Sequence, residues 1–457
     1  MLDPAISKYL LARRDEHLAA LCELLAIPSI ANVSDNSCDQ AAAWLANYLG
    51  KLGADVKVMP TAGQPNVLAD FRAGSDRPTL LIYGHYDVQP ADPLELWHSP
   101  PFTPQVRNGF LYARGASDDK GQLFAHIMAV EAFLRTGQPL PINVKFFLEG
   151  EEEIGSPNLE SFIVQHAAEL SADAAVISDS EFFAEGVPSI TYSLRGLAYV
   201  EITLRGPNLD LHSGTHGGAV TNPVNALARM IAAMHDDRGR VTIPGFYDDV
   251  LDLGPSERQA WAHLPFDEAA YSASLGVDAL GGGESDFPVL ERRWSRPTLD
   301  CNGIVAGYVG KGAKTIIPAQ ASAKVSMRLV PRQDPEKIIE AVRRFVAGQT
   351  PPGLRADVVQ HSSSRPVMLH QDSAAMTAAR DALASAFGAP TVMIRNGASV
   401  PVTEMFQRIL GLEAVLMGLG LPEDGLHGPN ERFKLDHLWR GSLASAAFIR
   451  DLAPGRK

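Results

Sequence analysis

Apolar residues recur along this chain with two different periods, and the changes of period divide it. Up to about Ser189 the pattern alternates. Leu10, Leu11, Leu18, Leu21, Leu24 and Leu25 recur at helical spacing and predict one helix; Ala41 to Leu52, stopped by Gly53, predicts a second. A third runs from Gly121 to Leu134. Apolar runs of strand length lie near Val56 and at Val67 to Phe71, Thr79 to Tyr83, Ile142 to Leu148 and Ala174 to Ile177. Helices alternating with buried strands are the signature of an α/β sheet.

Beyond Asp179 the texture changes. Ser189 to Leu194 and Ala198 to Leu204 read as strands, Asn222 to His235 as a helix, Ser322 to Leu329 as a strand and Asp334 to Ala347 as a helix. A strand-helix-strand-strand-helix-strand module, ferredoxin-like, accounts for this order. From Asp237 to Trp294 the module is interrupted by Pro244, Gly245, Gly254-Pro255 and Gly281-Gly282-Gly283, which predicts a largely irregular insertion. The α/β texture then returns, with a helix at Ser373 to Phe387, strands at Thr391 to Ile394 and Ala414 to Leu419, and a last helix at Leu435 to Leu452. The expected architecture is an α/β domain built from residues 1–190 and 367–457, with a smaller α+β domain, residues 191–366, inserted into it.

Length supports two domains, since 457 residues with 46% apolar content exceed what one core usually holds. A net charge of −13 argues against nucleic acid and anionic membranes as partners, because both demand basic patches. Cys22, Cys38 and Cys301 are widely spaced and form no C-x-x-C pair, so neither a disulfide framework nor a thiolate metal site is indicated. The early stretch Arg13-Arg14-Asp15-Glu16 is charged where a signal peptide would be apolar, and no run approaches the ~20 apolar residues of a membrane-spanning helix. A cytoplasmic location is expected.

The chemistry sits where the strands stop. Thr79 to Tyr83 leads into Gly84-His85-Tyr86-Asp87, Ile142 to Leu148 into Glu149-Gly150-Glu151-Glu152-Glu153, and Ala174 to Ile177 into Ser178-Asp179; Ala414 to Leu419 leads to the loop carrying His427. In open α/β sheets, ligands gather beyond the carboxyl ends of strands, so residues hundreds apart can meet there. His85 and Asp87 share a face if the strand continues, and the carboxylate can then fix the imidazole for a metal. In Arg114-Gly115-Ala116-Ser117-Asp118-Asp119-Lys120-Gly121 an aspartate either caps the following helix or bridges two cations. The glutamate run is either a solvated face or a site whose mutual repulsion cations relieve; in the second case Glu152 and Glu153 divide the labour, one binding metal and the other moving a proton. Two imidazoles and three carboxylates, from His85, Asp118, Glu153, Asp179 and His427, suit a pair of divalent ions.

These segments carry a resemblance. Gly84 to Pro90, Arg114 to Gly121, Glu149 to Ser156 and Ile177-Ser178-Asp179 are similar to successive motifs of the di-zinc metallopeptidases, in the branch of carnosinase and cytosolic non-specific dipeptidase, with aminoacylase and succinyl-diaminopimelate desuccinylase as relatives. The similarity continues in the same order through Asp210 to Gly214, Lys314 to Pro318, Ser326 to Pro331, Gly397 to Pro401 and Gly425 to His427.

The resemblance implies a zinc-exopeptidase-like catalytic domain and an inserted domain serving as lid and dimerisation element. His85, Asp118 and Asp179 would hold one metal, and Asp118, Glu153 and His427 the other, with Asp118 bridging and its bond to Asp119 cis. The ions would be zinc, with manganese or cobalt as alternatives. Asp87 would orient His85, and Glu152 would act as general acid and base toward a metal-bridging water. His212 would reach the active site of a partner subunit, which requires a homodimer; Arg328 and Ser399, with Thr315 from the partner side, would grip a substrate carboxylate. In such proteins an Asp at the place of Asp179 goes with dipeptidases and aminopeptidases, a Glu with deacylases and carboxypeptidases. Gly428-Pro429 and Asn396-Gly397 depart from the family pattern near the substrate. Hydrolysis of dipeptides beside a free carboxylate is the expected activity. An amidohydrolase acting on N-acyl or N-carbamoyl amino acids, and a catalytically silent metal-binding scaffold, are the alternatives.

Overall fold

The structure, a computed structural model, describes residues 2–33 and 35–454; the outermost ends of the expected α/β domain lie outside them. The chain divides into two compact units. The first comprises Met1–Tyr192, Leu369–Ile394 and Pro401–Lys457, the second Ser193–Met368 and Arg395–Val400. The short return of Arg395–Val400 to the second unit is a further crossing that the sequence boundaries did not separate.

In the first unit a mixed sheet runs in the order Asp55–Met59, Asn66–Phe71, Asn143–Glu149, Thr79–His85, Ala174–Ile177, Glu413–Leu416 and Ser189–Leu194, with Val392–Asn396 also paired to the last of these. The four strands from Asn143–Glu149 to Glu413–Leu416 are parallel, and their register sets His85 beside Glu149, Tyr83 beside Ile177 and Leu416 beside Ile177. Strands ending level deliver the polar residues that follow them to one edge of the sheet. Their centres are buried on both faces, as parallel strands covered by helices require.

The helix Lys120–Arg135 is buried along almost its whole length, which fits its near-continuous apolar sequence. It is tied to the helix Leu435–Asp451 by His126, whose Nδ1 lies 2.8 Å from Ser445 Oγ. Its first turn needs Gly121: a Cβ there would stand 2.0 Å from the Ala116 carbonyl oxygen and 2.8 Å from a Phe433 ring carbon. Gly121→Ala should therefore destabilise the protein by about 1–3 kcal/mol through overpacking, lowering the urea midpoint; an unchanged midpoint would contradict this packing.

The N-terminal leucines that predict one helix form two, Pro4–Ala12 and Arg14–Leu25, because the backbone leaves the helical region at Arg13. A three-stranded sheet of Arg432–Lys434, Phe110–Tyr112 and Gln105–Arg107 was not read from the sequence at all.

The second unit contains a four-stranded antiparallel sheet in the order Thr298–Ala306, Gln320–Leu329, Gly196–Arg205 and Arg355–Ser364. Pro223–Ala232 and Pro335–Gln349 supply the two helices of the module, and both pack their apolar stripes into one core with Val200, Ile202, Val325 and Met327. The order second, third, first, fourth is the ferredoxin-like topology. The stretch from Asp237 to Trp294 is more helical than expected: it holds Pro255–Ala262, Glu268–Ser274 and Val289–Trp294. Its prolines and glycines separate helices, since Pro255 occupies a first helical position that needs no N–H donor.

Candidate metal centre

Two groups of side chains in the first unit offer ligand atoms within 4.8 Å of one another: His85, Asp118 and Asp179, and Asp118, Glu153 and His427. Asp118 belongs to both. His85 Nε2 lies 3.0 Å from Asp118 Oδ1, and His427 Nε2 lies 3.0 Å from Asp118 Oδ2 and 3.3 Å from Glu153 Oε2. Each oxygen of one carboxylate thus faces a different imidazole, the arrangement a bridging ligand needs.

Asp118 stands on a turn joined to Asp119 by a cis peptide bond. The next helix is capped by the backbone of Asp119 without a side-chain hydrogen bond, so the capping alternative fails for both aspartates. Asp119, fully buried, instead accepts a bond from the His85 backbone N–H at 3.3 Å.

The glutamate run sorts itself by partner. Glu149 accepts from the Tyr83 hydroxyl at 2.5 Å, Glu151 from Asn158 Nδ2 at 2.8 Å, and Glu153 from Gln89 Nε2 at 2.9 Å. The Glu152 carboxylate has no hydrogen bond or ion pair among the described residues. Glu152–Ile154 forms a single 3-10 turn whose N–H groups at Glu152 and Glu153 donate to Asp87 Oδ1 and Oδ2 at 3.1 and 2.9 Å. Asp87 is fully buried and also faces His85: its backbone carbonyl lies 3.0 Å from His85 Nδ1 and its carboxylate 3.5 Å. It therefore fixes both an imidazole and the turn that presents Glu152 and Glu153.

Asp179 follows Ser178, whose hydroxyl sits 2.7 Å from His126 Nε2 and donates to the Met417 carbonyl at 2.6 Å. His126 lies among apolar helix residues, and burial lowers its pKa to about 4, so it is held neutral.

The electrostatics of the pocket call for positive charge. Burial pushes Asp179 up to about 7, helped by the Asp118 carboxylate. Burial likewise drives Glu152 well above the usual carboxylate range, with the charges of Asp179, Asp118 and Glu153 adding to it against the opposing pull of His85. Burial opposes ionisation of Asp118 too, but the hydrogen bonds from His427 and His85 outweigh it and hold that carboxyl low. His427 is raised to about 10 by its bonds to Asp118 and Glu153. No Lys or Arg among the described residues pairs with Asp118, Glu152, Glu153 or Asp179, so the imidazoles carry the counter-charge alone. Packed carboxylates of this kind are costly without cations. Hard oxygen and borderline nitrogen donors fit divalent ions, and the residues present fit a pair of them.

The substrate-side candidates lie in the second unit. Arg328 Nη1 donates to Ser399 Oγ at 3.1 Å, and that hydroxyl donates to the Arg195 carbonyl at 2.6 Å. His212 and Thr315 are exposed and meet through a two-stranded ladder in which His212 pairs with Ile316, while the Ser213 N–H donates to the Thr315 carbonyl at 3.1 Å. The His212 ring accepts from the Gly214 N–H at 3.0 Å.

Sequence reasoning missed Gln89, His126 and above all Glu431, which lies under the metal-facing loops. Gln89 stood inside a recognised segment and could have been found there; Glu431 left no local signal.

The chain is 33% identical over 468 residues to a Cys-Gly metallodipeptidase of Schizosaccharomyces pombe, with 96% of each chain covered. It is 32% identical to the human Beta-Ala-His dipeptidase, covering 89% of this chain and 83% of that one. Among solved structures, an M20 family metallo-carboxypeptidase from Sulfolobus solfataricus superposes with a TM-score of 0.87 at 35% identity, covering 96% of this chain and 99% of the other. The model of Peptidase family M20/M25/M40 matches residues 81–451. With the two ligand groups gathered at the sheet edge, the chain belongs to Peptidase family M20/M25/M40.

Proposed function

We propose that the protein is a metal-dependent dipeptidase that hydrolyses a peptide bond next to a free C-terminal carboxylate. The observation that carries the reading is the Glu152 carboxylate, unpaired and half-buried beside two groups of side chains that could each hold a metal ion and that share Asp118. A structural metal site has no use for such a base. When bound, a pair of divalent ions polarises the scissile carbonyl and acidifies the attacking water. His85, Asp118 and Asp179 hold one ion, and Asp118, Glu153 and His427 the other; zinc suits the donor set, with manganese or cobalt as alternatives. Glu152 takes a proton from the water as its oxygen adds to the carbonyl carbon. It returns that proton to the amine nitrogen as the carbon–nitrogen bond breaks. Asp87 keeps Glu152 at the reacting face by holding its backbone N–H.

Arg328 and Ser399 take the substrate carboxylate, and the second unit serves as lid and dimerisation element, with His212 and Thr315 of a partner subunit completing the site. The protein acts in the cytoplasm as a homodimer; the location is consistent with Cys22, Cys38 and Cys301 forming no disulfide. The named activities of the Schizosaccharomyces pombe and human relatives, both dipeptidases, support the substrate class.

A panel of dipeptides, N-acetyl and N-carbamoyl amino acids and longer peptides tests this. Dipeptides should give the highest kcat/KM; failure on all dipeptides with turnover of acylated amino acids would replace the reading by an amidohydrolase. Arg328→Met should cost dipeptides roughly 10- to 150-fold in kcat/KM, the equivalent of about 1.5–3 kcal/mol for a charged hydrogen bond. The same substitution should leave C-terminally amidated dipeptides unaffected, and an equal loss on both would remove Arg328 from carboxylate binding.

A further inference from the structure

Beneath the loop bearing Asp118 lies an ion pair that the reaction does not use. Arg114 and Glu431 are almost wholly buried, and Arg114 Nη1 donates to Glu431 Oε2 at 2.8 Å. Glu431 accepts three more bonds, all from the backbone of the Asp118 loop: Gly115 N–H on Oε2 at 2.9 Å, and Ser117 and Asp118 N–H on Oε1 at 2.9 and 3.0 Å. The arginine reaches the other way. Its Nη2 donates to the His427 carbonyl at 3.0 Å and to the Pro90 carbonyl at 3.2 Å. One pair therefore joins the backbone around the bridging ligand, the loop of the exposed ligand and the segment following His85 and Asp87.

His427 needs such a restraint. Its backbone sits in the left-handed region at φ 60, as does Asn430 at φ 63, and its side chain is 57% exposed. Left-handed backbone costs a residue with a Cβ roughly 1–2 kcal/mol, so a loop containing two such residues persists only where its surroundings hold it. The guanidinium on the His427 carbonyl is the contact that does so at the ligand itself. Asn430 is held separately, its side chain accepting from the His98 N–H at 2.7 Å and donating to the Leu96 carbonyl at 2.8 Å.

We propose that Arg114 and Glu431 are positioning residues that set the separation of His427 from Asp118, and through it the affinity of the cation held by Asp118, Glu153 and His427. The other cation, held by His85, Asp118 and Asp179, shares only Asp118 with that loop and depends on them less, because His85 ends the strand Thr79–His85 and Asp179 follows the strand Ala174–Ile177 by two residues. The proposal rests on the two-cation reading. Metal-free protein is titrated with zinc against a competing chelator, with circular dichroism following the fold. Wild-type protein should bind two ions per chain; fewer would sink the two-cation reading itself.

Arg114→Lys keeps the buried charge balance but cannot reach Glu431, Pro90 and His427 together. One of the two binding steps should weaken 10- to 100-fold, as for other groups that orient metal ligands, while the other stays within about threefold. Glu431→Gln should weaken the same step, since an amide cannot accept on both sides. Two ions bound with wild-type affinities in folded variants, or both steps weakened alike, would overturn the positioning role. If one variant fails to fold, the other decides; if neither folds, the pair is a folding element and the proposal falls.

Discussion

Glu152→Gln should lower kcat for dipeptide hydrolysis by roughly 10²- to 10⁴-fold, the usual contribution of a positioned acid and base, without loosening either cation. The amide keeps the shape of the side chain but can neither take nor return a proton. Because no described residue bonds to the Glu152 carboxylate, the substitution breaks no existing contact, and the turn carrying it stays pinned by the Asp87 carboxylate through the Glu152 and Glu153 N–H groups. Fold and metal content should match wild type. Steady-state kinetics with metal analysis on the same sample checks this, and wild-type kcat in a fully loaded variant would remove Glu152 from the chemistry.

Asp118→Asn should have the other large effect. Asp118 alone belongs to both ligand groups and touches both imidazoles, His85 on one oxygen and His427 on the other, each at 3.0 Å. An amide would present N–H₂ to one of them and remove the charge that both cations share. Binding should fall from two ions per chain to at most one, with hydrolysis below detection, as read by chelator competition and the dipeptide assay. Substituting Asp179 or His427 should weaken mainly one ion. Two tightly bound ions in Asp118→Asn would show that the carboxylate does not bridge.

Much of this site was legible because it is built where strands end. Apolar runs bounded by a sudden charge mark His85, Glu149 to Glu153 and Asp179, and strand ends level in a parallel sheet carry those residues to one edge whatever their separation along the chain. The observed strands Thr79–His85, Asn143–Glu149 and Ala174–Ile177 lie within two residues of the predicted runs. What was not legible depends on pairing over long separations. Glu431 reaches Asp118 because Arg432 pairs with Tyr112 and Phe433 with Leu111, and those three-residue strands are too short for a periodic signal. Thr298–Ala306 and Arg355–Ser364 flank the second unit's sheet with mostly exposed residues, so neither shows a clean apolar alternation. The break at Arg13 was hidden because leucines continue at helical spacing on both sides of it.

The division of labour among the glutamates shows the limit most clearly. Composition marks the run from Glu149 to Glu153 as a repulsive cluster that needs cations. Only coordinates reveal that Tyr83, Asn158 and Gln89 engage Glu149, Glu151 and Glu153 in turn, leaving Glu152 free.

The most direct test of the paired-cation site is anomalous diffraction at the zinc edge from crystals of the zinc-loaded protein. Two peaks are expected, one among His85, Asp118 and Asp179 and one among Asp118, Glu153 and His427, with Asp118 between them and Glu152 bound to neither. A single peak, or peaks placed away from Asp118, would contradict the account.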